Sequence, residues 1–285
     1  MRHYAWRSGV LCRSLCHDKE VTETALPKLI AFDLDDTLAP SKSRVPDRIL
    51  KLLEQLLERT TVAVISGGAI HQFQKQLLQP LAETGAITES KLERLHILPT
   101  CGTHYERFAK GSWNTVYRET LSPEDRSETL TVLREEAERL GLWEKEPWGE
   151  ILEDRGSQVT FSALGQRAPV AAKEQWDPRA EKKDRLRDAV AARLPHLEVR
   201  SGGSTSVDVT RKGIDKAYGM AKLREATGIG YDDMLFIGDR LDPAGNDYPV
   251  KTLGIPTIAV TGWQHTAEVI SELLSGSAAA ESPAG

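Results

Sequence analysis

Cysteine is scarce. The 285 residues contain three, Cys12, Cys16 and Cys101, too few for a disulfide framework in a chain of this size. Cys12 and Cys16 have His17 beside them, but a structural zinc site takes four ligands and no second pair exists. They read as reduced thiols, which points to a cytoplasmic protein. Long apolar runs are also lacking. None approaches the ~18 residues of a membrane span, so no membrane is expected as a partner. Positive charge is in deficit, 37 Lys and Arg against 42 Asp and Glu, for a net charge of -5. No global field draws in phosphate backbones, so nucleic acid is not an expected partner either. Internal repeats and heptads are absent. What is present is an ordinary soluble composition, 40% hydrophobic and 28% charged. It is long enough for one large or two ordinary domains and for a core that needs no covalent staple.

The first 26 residues lack periodicity and begin basic, with Arg2, Arg7 and Arg13 before the first acid at Asp18. They read as a poorly ordered extension. Residues 276–285, small and polar with a proline, read as a disordered tail. Between the ends, strand-like runs alternate with helical patterns. Leu29–Phe32, Val62–Ile65, His96–Leu98, Met234–Ile237 and Pro256–Val260 read as buried strands. Ile49, Leu50, Leu53, Leu56 and Leu57 recur at helical spacing, and further helices are expected over 216–227 and 266–274. This alternation predicts an α/β fold, a Rossmann-like parallel sheet covered on both faces. From about Gly111 to Asp208 the charge density rises and the pattern changes. Ser122-Pro123-Glu124 opens one helix and Asp177-Pro178 another, with strands at 158–162, 197–200 and 206–209. This stretch predicts an inserted α+β cap domain, dividing the core into 27–110 and 209–275.

Four polar clusters carry chemistry, three of them directly after expected strands. In open parallel sheets that edge is where ligands bind. Asp33-Leu34-Asp35-Asp36-Thr37 puts Asp33 and Asp35 on one side of an extended chain. Carboxylates so close repel unless a cation or a shared proton joins them. One is then free to act as nucleophile and its neighbour as general acid and base. Ser66-Gly67-Gly68 offers a hydroxyl and open backbone N–H groups to an anion. Gly213-Ile214-Asp215-Lys216 puts a lysine in the first turn of a helix, where the dipole disfavours it unless an anion is near. Asp239, Asn246 and Asp247 sit on a Gly/Pro-rich loop and supply the oxygens that magnesium takes.

In this order, the four clusters resemble those of the haloacid dehalogenase (HAD) superfamily: Asp33, Asp35 and Thr37, then Ser66, then Lys216, then Gly238-Asp239 followed by Gly245-Asn246-Asp247. The resemblance covers roughly residues 27 to 275, and the long cap is similar to subclass IIB, the Cof-type sugar phosphatases and eukaryotic-type phosphomannomutases. The phosphomannomutase branch is the more similar, through Gly202–Val209 followed by Gly213–Lys216, and through Arg155–Arg167 in the cap. The chain departs from that branch where the second cap arginine falls one place late after Gly165, at Ala244, and at Asp36, where many members have glycine.

The resemblance implies that Asp33 forms an aspartyl phosphate and that Asp35 protonates the leaving oxygen. It implies that Ser66 and Gly67, with Lys216, bind the phosphoryl group. Mg2+ would be held by Asp33, the backbone carbonyl of Asp35, and Asp239, with Asn246 and Asp247 in support. Ser206 and Asp208 would touch the sugar phosphate, Arg155 and Arg167 its distal anion, with Arg179 a weaker candidate. His104 and Tyr105, near the junction of core and cap, are expected to be packing or hinge residues, and Trp143, Trp148 and Trp176 to pack within the cap. The implied partner is a small phosphorylated substrate, a sugar phosphate, and a homodimer through the cap is an assembly to expect. The function expected is a phosphatase. The alternatives are a phosphomannomutase-like isomerase working through a bisphosphate and, from another class, a non-catalytic phospholigand-binding protein.

Overall fold

The computed structural model describes residues 26–280. Cys12, Cys16, His17 and the N-terminal extension lie outside the described residues, except that Leu26 packs against the core. Seven strands form the larger sheet: β1 (Leu29–Phe32), β2 (Thr61–Ile65), β3 (Leu95–Leu98), β4 (His104–Ala109), β5 (Ser112–Arg118), β10 (Met234–Gly238) and β11 (Thr257–Ala259). Their spatial order is β11-β10-β1-β2-β3-β4-β5. The first five in that order are parallel, while β4 and β5 close the edge as an antiparallel hairpin. Strands buried on both faces need apolar side chains on both, which is why β1 and β10 read as continuous hydrophobic runs. Ile30 and Phe32 join Leu50, Leu53 and Leu57 of the helix Asp47–Arg59 on one face. Leu29 and Ala31 meet Met220 and Leu223 of the helix Lys216–Thr227 on the other.

Four antiparallel strands, β6 (Leu152–Asp154), β7 (Gln158–Ser162), β8 (Leu197–Ser201) and β9 (Ser206–Arg211), form a second sheet in the order β6-β7-β9-β8. Val159, Phe161, Val207 and Val209 turn to the helices Pro123–Arg139 and Glu181–Arg193, packing on Leu133, Ala137, Leu186 and Val190. Alternation sends Gln158, Thr160, Ser206 and Asp208 to the opposite face, where they line a cavity against the larger sheet.

Several boundaries differ from the sequence reading. Residues 112–118, expected in the cap, are β5 of the larger sheet. Lys110 and Gly111 both have positive φ, 55° and 77°, making a two-residue hairpin turn between β4 and β5. At the other boundary β9 carries the second sheet on to Arg211. The helix expected from Asp177 starts at Glu181, because Ala180 is left-handed, with φ 61°. β11 is an edge strand and only partly covered. The last helix runs from Trp263 to Ala280, into the expected tail. Trp148 is exposed rather than packed. No helix among the described residues is long and apolar enough to cross a membrane.

One close approach fixes the site's geometry. Gly102, with φ 84°, lies against Gly219, where an added Cβ would come within 2.4 Å of the Gly219 Cα. A Cβ on Gly219 would meet Ile65 Cδ1 at 2.4 Å and the Cys101 carbonyl oxygen at 2.7 Å. Gly→Ala in a helix interior normally gains about 1 kcal/mol. Here the backbone contact cannot yield, and overpacking costs about 1–3 kcal/mol. Gly219→Ala is therefore expected to lower stability by about 2 kcal/mol, read from urea unfolding. A stabilised variant would contradict the packing described.

Candidate active site

Because β1, β2 and β10 are parallel neighbours, with Phe32 opposite both Val64 and Ile237, the residues after them emerge at one edge. Asp33, Ser66 and Asp239 meet there, beneath the cap, at a cavity of about 530 Å³. Asp35, Gly67, Lys216 and Asn246 line it from the larger sheet's side, and Arg155, Ser206 and Asp208 from the cap. Arg167 does not reach it. Its guanidinium packs over Gly149 and its side chain is exposed, because the turn at Gly165 presents Gln166 inward, where it contacts Lys42 and Ser162. Arg179 is also outside, paired with Glu181 at the surface.

The turn after β1 is tight. Leu38 N–H donates to Leu34 O at 3.0 Å and Asp36 N–H to Ala39 O at 2.7 Å, with Asp36 left-handed at φ 61°. Asp35 Oδ1 accepts from the Lys42 N–H at 2.6 Å and from Gln76 Nε2 at 3.4 Å. Gln76 lies on a π-helical turn, Gln74–Leu78, a form often found at functional sites. Its Oε1 is buried without a hydrogen-bond partner among the described residues. Beside β2, Ser66 Oγ accepts from the Gly68 N–H at 3.1 Å. Thr100 and Cys101, both at positive φ, donate their N–H groups to Gly68 O and Ser66 O at 2.9 Å. Strain of this kind persists only where neighbours enforce it, and here Gly102 on Gly219 does so.

The centre is a fully buried ammonium among carboxylates. Lys216, 0% exposed, donates to Asp33 Oδ1 and Asp247 Oδ1. Asp247 does not line the cavity; its Oδ2 accepts from the Arg240 N–H at 3.0 Å, so it anchors the loop from behind. Thr37 Oγ1 donates to Asp239 Oδ1 at 3.3 Å. Burial raises the Asp33 carboxyl well above its ordinary range; Lys216 opposes this, while Asp247 and Asp239 add to it. Asp239 is pushed up to about 6 by burial and by Asp247. Burial pulls Lys216 down, but Asp247 and Asp33 overcome it and hold it well above the usual lysine value. Asp33, Asp239 and Asp247 offer oxygens within 4.8 Å of one another. Three crowded carboxylates around one ammonium leave uncompensated negative charge, and their all-oxygen donor set suits magnesium. The residues therefore fit that ion.

On the cap, Arg155 is nearly buried. Its Nε and NH2 reach Glu153 Oε2 at 3.0 and 2.7 Å, and NH1 donates to Gly67 O at 2.6 Å, tying cap to core. Asp208 Oδ1 accepts from Thr160 Oγ1 at 2.7 Å, and burial raises its carboxyl above the ordinary range against the pull of Arg155. His104 pairs with Glu106 at 2.6 Å, and Tyr105 with His96 at 2.5 Å; both pairs are buried in the larger sheet, as packing residues should be. Sequence reasoning missed Gln76, Lys42 and Lys173. Only Lys42, a cation shortly after Asp35, carried a sequence signal.

Residues 49–275 match the family model for eukaryotic phosphomannomutase. Phosphomannomutase from Saccharomyces cerevisiae is 23% identical over 267 residues, covering 90% of this chain and 96% of the yeast protein. Phosphomannomutase 1 from Homo sapiens is 22% identical over 228 residues, covering 78% of this chain and 82% of the human one. Among solved structures, an N-terminally truncated IMP-nucleotidase from Plasmodium falciparum superposes with a TM-score of 0.65 at 17% identity, covering 88% of this chain and 71% of its own. A haloacid dehalogenase-like hydrolase from Bacteroides thetaiotaomicron superposes at 0.56 and 18% identity, covering 86% and 99%. These likenesses share the fold, a parallel sheet of the HAD type. With a family match spanning most of its length, this chain belongs to the phosphomannomutase family of the HAD superfamily, a family of phosphoester-handling enzymes.

Proposed function

We propose that the chain is a magnesium-dependent phosphatase acting on a sugar phosphate or similar small phosphoester through an aspartyl phosphate on Asp33. The observation that supports this most is the position of the Asp33 carboxylate, at the end of β1, inside a cavity and held by Lys216 among further acids. Asp33, Asp239 and the backbone carbonyl of Asp35 would hold magnesium, with Asn246 and Asp247 in support. Bound there, the ion would neutralise phosphoryl charge that otherwise repels a carboxylate.

An Asp33 oxygen bonds to phosphorus as the bond from phosphorus to the sugar oxygen breaks, and Asp35 gives that oxygen its proton. Asp35 then takes a proton from water. The water oxygen bonds to phosphorus, the bond to Asp33 breaks, and inorganic phosphate leaves. The Lys42 N–H and Gln76 keep Asp35 oriented for both transfers. Ser66, the Gly67 backbone and Lys216 bind phosphoryl oxygens, while Ser206 and Asp208 meet the sugar. The Arg155 contact to Gly67 holds the cap over the site, excluding unwanted acceptors.

The family match favours a second reading, a mutase that returns the phosphoryl group to a hexose hydroxyl. Incubation with magnesium and mannose 1-phosphate, with and without hexose 1,6-bisphosphate, separates the two. Phosphate release independent of the bisphosphate is expected. Bisphosphate-stimulated hexose 6-phosphate without phosphate release would establish the mutase, and chelator-resistant activity would contradict both.

Magnesium should also act on stability with a defined pH sign. The folded-state value of Asp239, about 6, lies above its ordinary 3.8. Its contribution to stability is full below about 4 and is lost as pH rises through 6. A divalent cation offsets that loss only where the carboxylates are ionised. Magnesium is expected to raise Tm by several degrees at pH 7.5 and by much less at pH 5, read from thermal melts against a chelator control. Equal shifts at both pH values would contradict the site.

A further inference from the structure

The chain passes between core and cap twice, over residues 119–121 after β5 and 212–215 after β9. One carboxylate joins the two crossings. Glu119 Oε1 accepts from the Tyr218 hydroxyl, and Glu119 Oε2 accepts from the Arg211 guanidinium. Arg211 ends β9. Tyr218 lies in the first turn of the helix Lys216–Thr227, two residues beyond the lysine that meets Asp33 and Asp247. The backbone of Glu119 is held as well, its N–H donating to Thr103 O at 2.8 Å. A single side chain thus ties the outgoing crossing, the returning crossing and the helix of the site. On the returning crossing Gly213, at φ 80°, has open space where a Cβ would stand. A left-handed glycine in open space turns without a clash, so the return angle is left to neighbouring contacts. On the core side of that glycine, Ile214 is buried and Asp215 caps the helix by accepting from the Tyr218 N–H at 3.0 Å. On the cap side, Arg211 reaches Glu119, and Arg200 of β8 adds a longer contact to Asp215 at 3.4 Å. The angle matters at the cleft. The Arg155 guanidinium donates to Gly67 O at 2.6 Å, and the Thr103 and Ser157 hydroxyls share a hydrogen bond at 2.5 Å. Bonds this short tolerate little rotation of cap on core.

We infer that Glu119 is a positioning residue of the hinge: it locks both crossings to the helix that carries Lys216, so that the cap stands closed over the site before substrate arrives. The kinetic consequence rests on the phosphoryl-transfer reading above. Without the lock a larger share of molecules stands open, and substrate binding has to close the cap. Apparent affinity then falls in proportion to the closed fraction, while the chemistry of a closed molecule is unchanged. A partly exposed ion pair adds little to global stability, so the lock acts on the cap angle and not on the fold.

The first measurement is hydrogen exchange on the full chain without ligand. The Leu121 N–H donates to Gly156 O on the outgoing crossing, and the Ile214 N–H to Arg211 O on the returning one. In Glu119→Gln and in Arg211→Gln both amides are expected to exchange about tenfold faster, with the amides of β1 and β10 unchanged because the opening is local. Arg211→Lys keeps the charge and should keep most of the protection. The second measurement is steady-state phosphate release from mannose 1-phosphate in magnesium. In both neutral variants KM should rise about fivefold with kcat kept within about twofold, and Arg211→Lys should stay near the wild type. A variant that had merely lost stability would show the reverse, a lower kcat from a smaller active fraction at an unchanged KM. Wild-type protection of both amides in the two neutral variants, or an unmoved KM in an active enzyme, overturns the inference. If the wild type releases no phosphate, the phosphatase reading fails, and hydrogen exchange, which needs no turnover, still decides for or against the lock.

Discussion

Asp33→Asn is expected to reduce phosphate release by about 10⁴-fold or more while leaving the fold intact. An amide oxygen is a poor nucleophile, and removing a nucleophile costs catalysis on this scale. The substitution is nearly isosteric, and the amide oxygen can still accept from Lys216. Stability should move the other way. Burial and the charges of Asp247 and Asp239 disfavour the ionised Asp33 carboxyl, so a neutral group there relieves repulsion. Without magnesium, Tm should hold or rise; with magnesium, the gain seen in the wild type should shrink, because one ligand is gone. The measurements are steady-state phosphate release and paired thermal melts. Near-wild-type turnover would remove Asp33 from the mechanism. Lost turnover with an unfolded protein would instead make Asp33 a structural residue.

The core was legible because parallel strands carry their own signature. Ile30 and Phe32, or Leu235 and Ile237, read as apolar runs since both sheet faces are covered, and the polar residues after them read as a site since that edge binds ligands. The hairpin of β4 and β5 was less legible. Its second strand is mostly exposed, with only Trp113 and Tyr117 half-buried, and only the Lys110-Gly111 turn marks it. The same limit applied at Arg167: a one-residue shift after Gly165 decides which side chain enters the cavity, and spacing alone cannot tell Gln166 from Arg167. Lys173 was invisible for a different reason. A lysine on a seven-residue helix reads as a solvated face, and only the docking of cap on core buries it. Gln76 reads as an ordinary polar helix position until a π-helical turn rotates it towards Asp35. Chemistry within one segment shows in sequence, whereas chemistry assembled across the cleft does not.

Lys216→Met is expected to destabilise the protein by about 3–5 kcal/mol at neutral pH and to remove activity, the range found when one partner of a buried ion pair is lost. The methionine fills a similar volume, so packing is not the main loss. The loss falls on Asp33 and Asp247, which keep their burial and lose the ammonium between them. They can escape by taking up protons. For a carboxyl of ordinary pKa that escape costs about 4 kcal/mol at pH 7 and less than half as much at pH 5. The destabilisation should therefore shrink as pH falls, which a simple packing defect would not do. Magnesium should restore part of the stability, since a cation among Asp33, Asp239 and Asp247 replaces some of the missing charge. Turnover should stay low, because the ammonium that meets the phosphoryl oxygens is still absent. Denaturant titrations at pH 5 and 7.5, each with magnesium and with a chelator, separate these effects. A pH-independent loss that magnesium leaves unchanged would mean that Lys216 serves the core as a spacer and not the site as a charge.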